Sequence, residues 1–231
     1  MKPQIVTTGI VLSRRDYQEA DRIISVLTPE QGKVSLIAKG VRRPKSKLAA
    51  GIELFSVSEL TYLPGRSDLK TLVSSRLVKH YENIVKDIHR TMLGYDFLKY
   101  LSKVIEETAG GEYFDLLQAA TAGLDNFELP AEVVEIWFNM QLLQMTGHAP
   151  NLKTDTAGAP LEKGKSYIFS FDDMTFTPGP EGDSTTDIIK YLRMASATQS
   201  PALLGQVQAD DTLRATVRQM TKSMLKYSLP I

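Results

Sequence analysis

The hydrophobic pattern changes period once along this chain, near residue 80. Before that point the apolar positions come in short, β-branched runs separated by turn residues. Residues 4–12 are rich in Ile, Val and Thr and predict a strand, and residues 21–27 predict a second. Residues 33–39 alternate, with Val34, Leu36 and Ala38 on one face and Lys33, Ser35 and Lys39 on the other. Residues 54–63 and 69–78 supply two more strands. In the last of these Leu69, Thr71, Val73 and Leu77 are expected on one face and Lys70 and Arg76 on the other. Thr28-Pro29-Glu30-Gln31-Gly32 and Pro64-Gly65 read as turns, because Pro presets φ and Gly permits the chain to reverse. Five short strands in about eighty residues suit a small closed barrel of the OB type. From pattern alone an SH3-like barrel fits nearly as well.

Past residue 80 the period is helical. Ile84, Ile88 and Met92 recur every four residues, followed by Phe97, Leu101, Val104 and Ile105, and Gly110-Gly111 is expected to stop that helix. A second helix is expected over 112–124. A third starts at Pro130 and runs to Gly147, with Val133, Ile136, Trp137, Met140 and Leu143 on its apolar face. Residues 148–184 break the pattern with four prolines; within them 167–171 and 174–176 predict a hairpin across Asp172-Asp173. A helix over 185–197 and a last one from Asp210 follow, the latter with Leu213, Val217, Met220 and Met224 as its buried stripe. The fold class expected is α+β and multi-domain: an OB-type five-stranded β-barrel over 1–80, then a mostly α-helical domain over 81–231 with an irregular segment at about 148–184.

Charge sharpens this division. The chain of 231 residues has 27 Lys plus Arg and 27 Asp plus Glu. Residues 1–80 carry 14 basic and 7 acidic side chains, a balance of +7, and residues 81–231 carry 13 and 20, a balance of −7. A basic leading barrel is suited to face a polyanion. With no cysteine, disulfides and thiolate metal sites are excluded. No run approaches the roughly 20 apolar residues of a membrane helix, and the first residues lack a signal-peptide pattern. The expected location is cytoplasmic, with no membrane partner.

Catalytic signatures are absent from the pattern. His80, His89 and His148 lack metal-ligand spacing. Residues 158–166 read G-A-P-L-E-K-G-K-S, but five residues separate the glycines where a phosphate loop needs four, and no buried strand precedes them. No catalytic residue, cofactor or metal is therefore expected, and no enzymatic activity.

The strongest local feature is Lys39-Gly40-Val41-Arg42-Arg43-Pro44-Lys45-Ser46-Lys47, five cations in nine residues between the third and fourth strands. Gly40 and Pro44 keep it from being a helix. A flexible cationic loop on a barrel can follow a phosphate backbone. Lys39, Arg42, Arg43, Lys45 and Lys47 are the primary DNA-binding candidates, with Lys33, Arg22, Arg66, Lys70 and Arg76 on nearby strands in support. Aromatics are sparse in this half (Tyr17, Phe55 and Tyr62), so backbone contact is expected rather than sequence reading. Arg214, Arg218, Lys222 and Lys226 recur along the last helix and read as a solvated face.

Three runs resemble the RecO family in order. They are Gly9-Ile10-Val11-Leu12-Ser13-Arg14-Arg15-Asp16-Tyr17-Gln18-Glu19-Ala20-Asp21-Arg22, Leu27-Thr28-Pro29-Glu30-Gln31-Gly32-Lys33-Val34 leading into Ala38-Lys39-Gly40-Val41-Arg42-Arg43, and Asp68-Leu69-Lys70-Thr71-Leu72. The resemblance implies an OB barrel followed by a helical domain and a mediator role in recombinational repair. Such a protein binds single- and double-stranded DNA, anneals strands, interacts with single-strand binding protein and, with RecR, helps load RecA. An RNA-binding OB module would share the barrel physics, and charge does not separate the two.

The chain departs from the family pattern twice. Many relatives carry a four-cysteine zinc module after the third helix; here Thr154 and Ala157 stand where two thiols would, and Tyr167, Phe169, Phe171 and Phe176 are expected to hold the segment by packing. Some relatives also place an Arg beside the Phe matching Phe138, to pair with the acidic tail of single-strand binding protein. Here its neighbours are Trp137 and Asn139.

Overall fold

The computed structural model describes residues 3–65, 68–105, 111–180, 182 and 184–229. The chain packs as two compact units, Met1–Asp125 and Asn126–Ile231. Strands give way to helices at residue 80, but the first unit extends beyond that change and takes in two helices.

In the first unit, β1 (Ile5–Tyr17), β2 (Asp21–Thr28), β3 (Gly32–Ala38), β4 (Ser56–Leu63) and β5 (Leu69–His80) close a barrel in the order β1-β2-β3-β5-β4. The closure of β3 on β5 is parallel, Ser35 opposite Leu69 and Ile37 opposite Thr71. The other pairings are antiparallel. This is the OB-like barrel. Its interior is filled by alternate residues of each strand, among them Ile24, Val26, Leu36, Ala38, Leu60 and Tyr62, all fully buried.

β5 presents its faces differently from its alternation. Leu72 is buried, while Val73 and Leu77 are exposed. The register against β4 slips between Thr61 and Tyr62 and again between Val57 and Ser58, so Ser74 and Leu72 oppose neighbouring residues and Val73 is extra. Each added residue turns the following side chains to the other face.

Two helices complete this unit, α1 (Ile88–Val104) and α2 (Gly111–Asp125). The buried face of α1 is Arg90, Leu93, Gly94, Phe97, Leu98 and Leu101. Ile88 and Met92, expected on the buried stripe, are exposed at 76% and 60%. The reason is an earlier break: Ile84–Lys86 is a separate 3₁₀ turn, and Asp87 starts α1 anew by accepting a hydrogen bond from Arg90 N at 2.8 Å. α1 ends at Val104, before the glycine pair. Gly111 opens α2, and Gly110 lies outside the described residues.

The second unit is organised around α3 (Ala131–Met145), which is buried on almost every side. Pro130 is its N-cap rather than its first helical residue. α4 (Thr186–Ala197), the short α5 (Pro201–Leu204) and α6 (Asp211–Ser228) pack around it. Trp137 donates from Nε1 to the Thr198 carbonyl at 2.9 Å, and Asn139 Nδ2 lies 3.4 Å from Thr221 Oγ1. Both side chains are buried. On α6, Val217 and Met224 are buried as expected, with Thr221 and Leu225 beside them. Arg218 is not simply solvated: its Nε is hydrogen-bonded to the buried carboxylate of Glu135.

The expected hairpin is present as β6 (Tyr167–Ser170) and β7 (Thr175–Pro178). Its aromatic rings form a chain of edge contacts. Phe169 lies 5.0 Å from both Phe171 and Phe176, and Tyr167 lies 6.3 Å from Phe176. Polar contacts add to the packing in the irregular segment before the hairpin. Asp155 Oδ1 accepts from Ala157 N and Ala159 N, each at 2.9 Å. Asn151 Oδ1 accepts from Lys153 N and Thr154 N.

Candidate nucleic-acid interface

Antiparallel pairing brings the end of β1, the start of β2 and the end of β3 to one end of the barrel. The β1–β2 hairpin turns there through Gln18, which has φ of 50°. The connection from β3 to β4 begins at the same end and holds the basic run. Its first residues are fastened to the hairpin by three contacts. Gly40 N donates to Asp21 Oδ1 at 2.7 Å, Arg42 N donates to the Ala20 carbonyl at 2.9 Å, and Arg42 Nε lies 3.5 Å from Asp16 Oδ2. Gly40 sits at φ +64°, a left-handed conformation that costs a glycine nothing.

Farther along, the connection is pinned to the barrel wall. Ser75 Oγ donates to the Leu48 carbonyl at 2.9 Å. A Cβ on Gly51 would fall 2.5 Å from the Ser75 side chain, so the 3₁₀ turn Ala50–Ile52 lies directly on β5. Ile52 is fully buried beneath it. The run is therefore held at both ends, and its cations are presented between them.

Lys39, Arg42, Arg43, Lys45 and Lys47 are all exposed. Only Arg42 has an ion-pair partner among the described residues, and that partner, Asp16, is shared with Arg22 Nε at 2.8 Å. The Arg22 hydrogen bond, helped by the charges of Arg42 and Arg14, holds the Asp16 carboxyl below its ordinary range against some desolvation. The two guanidinium groups are thus partly neutralised, and the remaining four loop cations are not.

The supporting cations are dispersed. Lys33 and Lys70 belong to the starts of β3 and β5, toward the opposite barrel end. Lys33 Nζ donates to the Ser102 carbonyl in the last turn of α1 at 2.8 Å. Lys70 Nζ lies 3.3 Å from Gln31 Oε1 and 5.6 Å from the Tyr62 ring centroid. Arg76 grips Glu59 with two hydrogen bonds, from Nε at 3.2 Å and from Nη2 at 3.0 Å, across the β4–β5 pair. Arg66 lies outside the described residues.

Two further side chains stand at the cationic end. Arg15 and Tyr17 are exposed on the last residues of β1. Their placement depends on β1 running on to Tyr17, five residues beyond the expected strand end. The signal was the continued pairing partner in 21–25: Ser13, Arg15 and Tyr17 oppose Ser25, Ile23 and Asp21. A register slip between Val11 and Ser13 had hidden that continuation from simple alternation.

Residues 1–81 match the family model described as Recombination protein O N terminal. The chain is similar to the DNA repair protein RecO of Desulfatibacillum aliphaticivorans, at 32% identity over 65% of this chain and 59% of the relative. It is likewise similar to that of Heliobacterium modesticaldum, at 32% over 67% of this chain and 56% of the relative. The protein of the same name from Alkaliphilus metalliredigens is 32% identical over 72% of this chain and 67% of the relative. The match thus spans less than two thirds of the first two relatives and two thirds of the third. With the OB-like barrel, the ordered motifs and these matches together, the chain belongs to the RecO family.

Proposed function

We propose that this protein acts in recombinational DNA repair as a non-catalytic mediator that grips the phosphate backbone with the cationic end of its barrel. The observation that carries the reading is the loop of residues 39–47. It is anchored at the hairpin and at β5, and it presents Lys39, Arg43, Lys45 and Lys47 without a carboxylate partner among the described residues. Arg42 and Arg22 join them once a phosphate oxygen displaces Asp16. Lys33 and Arg76, engaged within the barrel, are secondary contacts.

A surface of this kind binds single strands and duplexes alike, because both carry the same phosphates. Holding two single strands by their backbones leaves base edges free to pair, which is the physical requirement for annealing. Family membership supports RecR and single-strand binding protein as partners, and loading of RecA onto coated strands as the outcome. A cytoplasmic, nucleoid-associated location follows from that role.

The test is binding of single-stranded and duplex oligonucleotides across a salt series, for the native protein and for Arg42→Glu with Arg43→Glu. Each phosphate engaged contributes about 0.9 to the slope of log affinity against log salt on duplex DNA. The double variant should lower that slope by about 2 and weaken binding to all sequences alike. Unchanged affinity at low salt would remove the loop from the account. Competition with RNA of equal sequence completes the test: strong RNA preference would overturn the repair reading.

A further inference from the structure

The solvent side of α1 carries an apolar seam that the barrel does not use. Ile88, Met92 and Tyr95 are exposed, Tyr95 at 51%, and exposed Lys99 follows them. Steps of four, three and four residues keep these positions on one side of the helix. That is the spacing of a seam that receives a second helix. Val85, 59% exposed in the 3₁₀ turn just ahead, adds apolar surface. Leu93, Gly94, Phe97, Leu98 and Leu101 are the buried side of the same helix. The seam rests directly on the core. The Tyr95 ring meets buried Phe55 edge-on, with centroids 5.4 Å apart. A Cβ on Gly94 would fall 2.6 Å from the Phe55 ring, so the helix is closely seated and its outer face is preformed.

Four side chains exposed to this degree leave roughly 500 Å² of largely apolar surface, the upper range for the largest patch on a monomer. Two copies of the face brought together bury roughly 1,000 Å², which reaches the floor for a specific association. Charge selects how they meet. Exposed Glu82 and partly exposed Asp87 lie near the start of α1, and exposed Lys99 and Lys103 lie near its end. Lys86, also near the start, has its Nζ 2.8 Å from Asn83 Oδ1. Parallel pairing would set like charges against each other. Antiparallel pairing sets Lys99 and Lys103 of one copy near Glu82 and Asp87 of the other. In that register Met92 of one copy meets Tyr95 of the other. A foreign helix would need the matching sign at each end, whereas a second copy supplies it by symmetry.

We propose that α1 is a self-association surface, pairing antiparallel with α1 of a second copy about a two-fold axis between Met92 and Tyr95. Lys33 fastens the last turn of α1 to the barrel end away from the basic loop, so pairing leaves both loops uncovered. Two copies joined this way carry two phosphate-gripping ends, which suits bringing two strands together. That use rests on the phosphate-binding reading of the loop; the pairing itself does not.

The experiment is sedimentation equilibrium of the full chain without DNA. An interface at the floor of the size range is weak, so the native mass should rise from monomer toward dimer between roughly 1 and 300 μM. Met92→Glu and Met92→Lys should each stay monomeric throughout, and their equimolar mixture should regain the dimer. Met92 is exposed, so both variants should melt with the native protein at low concentration. Carbodiimide coupling should link Lys99 or Lys103 to Glu82 or Asp87 in the native dimer. The length of α1, about 25 Å, separates these groups within one copy, so the link forms only between copies. A native protein that stays monomeric at the highest concentration would overturn the proposal and leave the face to a different protein. A dimer unaffected by Met92→Glu would place the interface elsewhere, and a mixture that stays monomeric would overturn the two-fold register. Failure of the phosphate reading looks different: charge reversal at Arg42 and Arg43 would then leave DNA affinity intact while the sedimentation result stands.

Discussion

Asp16 places Oδ2 3.5 Å from Arg42 Nε, and this one carboxylate is the ion-pair partner that the described structure offers to the basic loop. Its other oxygen is taken by Arg22 at 2.8 Å. A phosphate reaching this site must compete with Asp16 for both guanidinium groups. Asp16→Asn removes the competitor and keeps the shape. Exposed pairs of this kind are worth about 0.2–1 kcal/mol. The variant should therefore bind DNA up to about fivefold tighter at low salt. Anisotropy titration reads this directly, and weaker binding would show that Asp16 shapes the loop rather than screening it.

The same carboxylate gives a pH dependence with a definite sign. In the folded chain the Arg22 hydrogen bond lowers the Asp16 carboxyl below its ordinary value, and Arg76 does the same for Glu59. A lowered folded value means that the stabilisation is fully present above the unfolded value. It is lost as pH falls through the folded one. Thermal midpoints followed from neutral pH down through the carboxylate range should fall more steeply for the native protein than for a variant with Asp16→Asn and Glu59→Gln. Both groups lie at the surface, so the difference should be small and should shrink in high salt.

Much of the barrel was legible because its strands alternate cleanly. Val34, Leu36 and Ala38 read as one face of a strand in the sequence and are buried together. Legibility failed wherever a single residue reset the phase. The bulge at Val73 turned β5 over, the slip near Leu12 concealed Arg15 and Tyr17, and the cap at Asp87 rephased α1. Lys33 and Arg76 counted as free cations in the sequence because their partners, Ser102 and Glu59, are distant in the chain. The rephasing of α1 is testable. Phe97→Ala should cost about 3–5 kcal/mol, as a large buried ring does. Ile88→Ser, which the fourfold recurrence would rank as equally severe, should stay within about 0.5 kcal/mol. Chemical denaturation separates the two.

In the second unit the buried Glu135 is 4% exposed and meets Arg218 from α6. Removing one member of such a pair leaves an uncompensated charge, which costs about 3–5 kcal/mol when both are fully buried. The Arg218 side chain keeps 31% of its surface in solvent, so water recovers part of that. Arg218→Ala should destabilise the protein by about 2 kcal/mol. Arg218→Ala combined with Glu135→Gln should recover most of the loss. If the double variant is no better than the single one, the cost lies in lost packing of the Arg218 stem and not in the stranded carboxylate.

Asp155 is the remaining case, because it stands between Thr154 and Ala157, where the resemblance would place thiols. The chain has no cysteine, so thiolate ligation cannot order this loop. What the structure offers instead is a carboxylate that is 8% exposed and accepts the backbone N–H groups of Ala157 and Ala159. The loop is closed further by Asp155 N donating to the Ala159 carbonyl at 2.8 Å and Thr156 N to the Phe176 carbonyl at 2.9 Å. Two N–H groups converging on one anion are charge-assisted hydrogen bonds, and deleting the acceptor leaves both donors short of a partner. Asp155→Ala should therefore cost about 2–4 kcal/mol. Asp155→Asn, whose side-chain carbonyl can still accept, should cost less than half of that. A chelator should leave the melting temperature of the native protein unmoved. A chelator-sensitive melting curve, or an alanine variant as stable as the native chain, would show that something other than this carboxylate holds the segment.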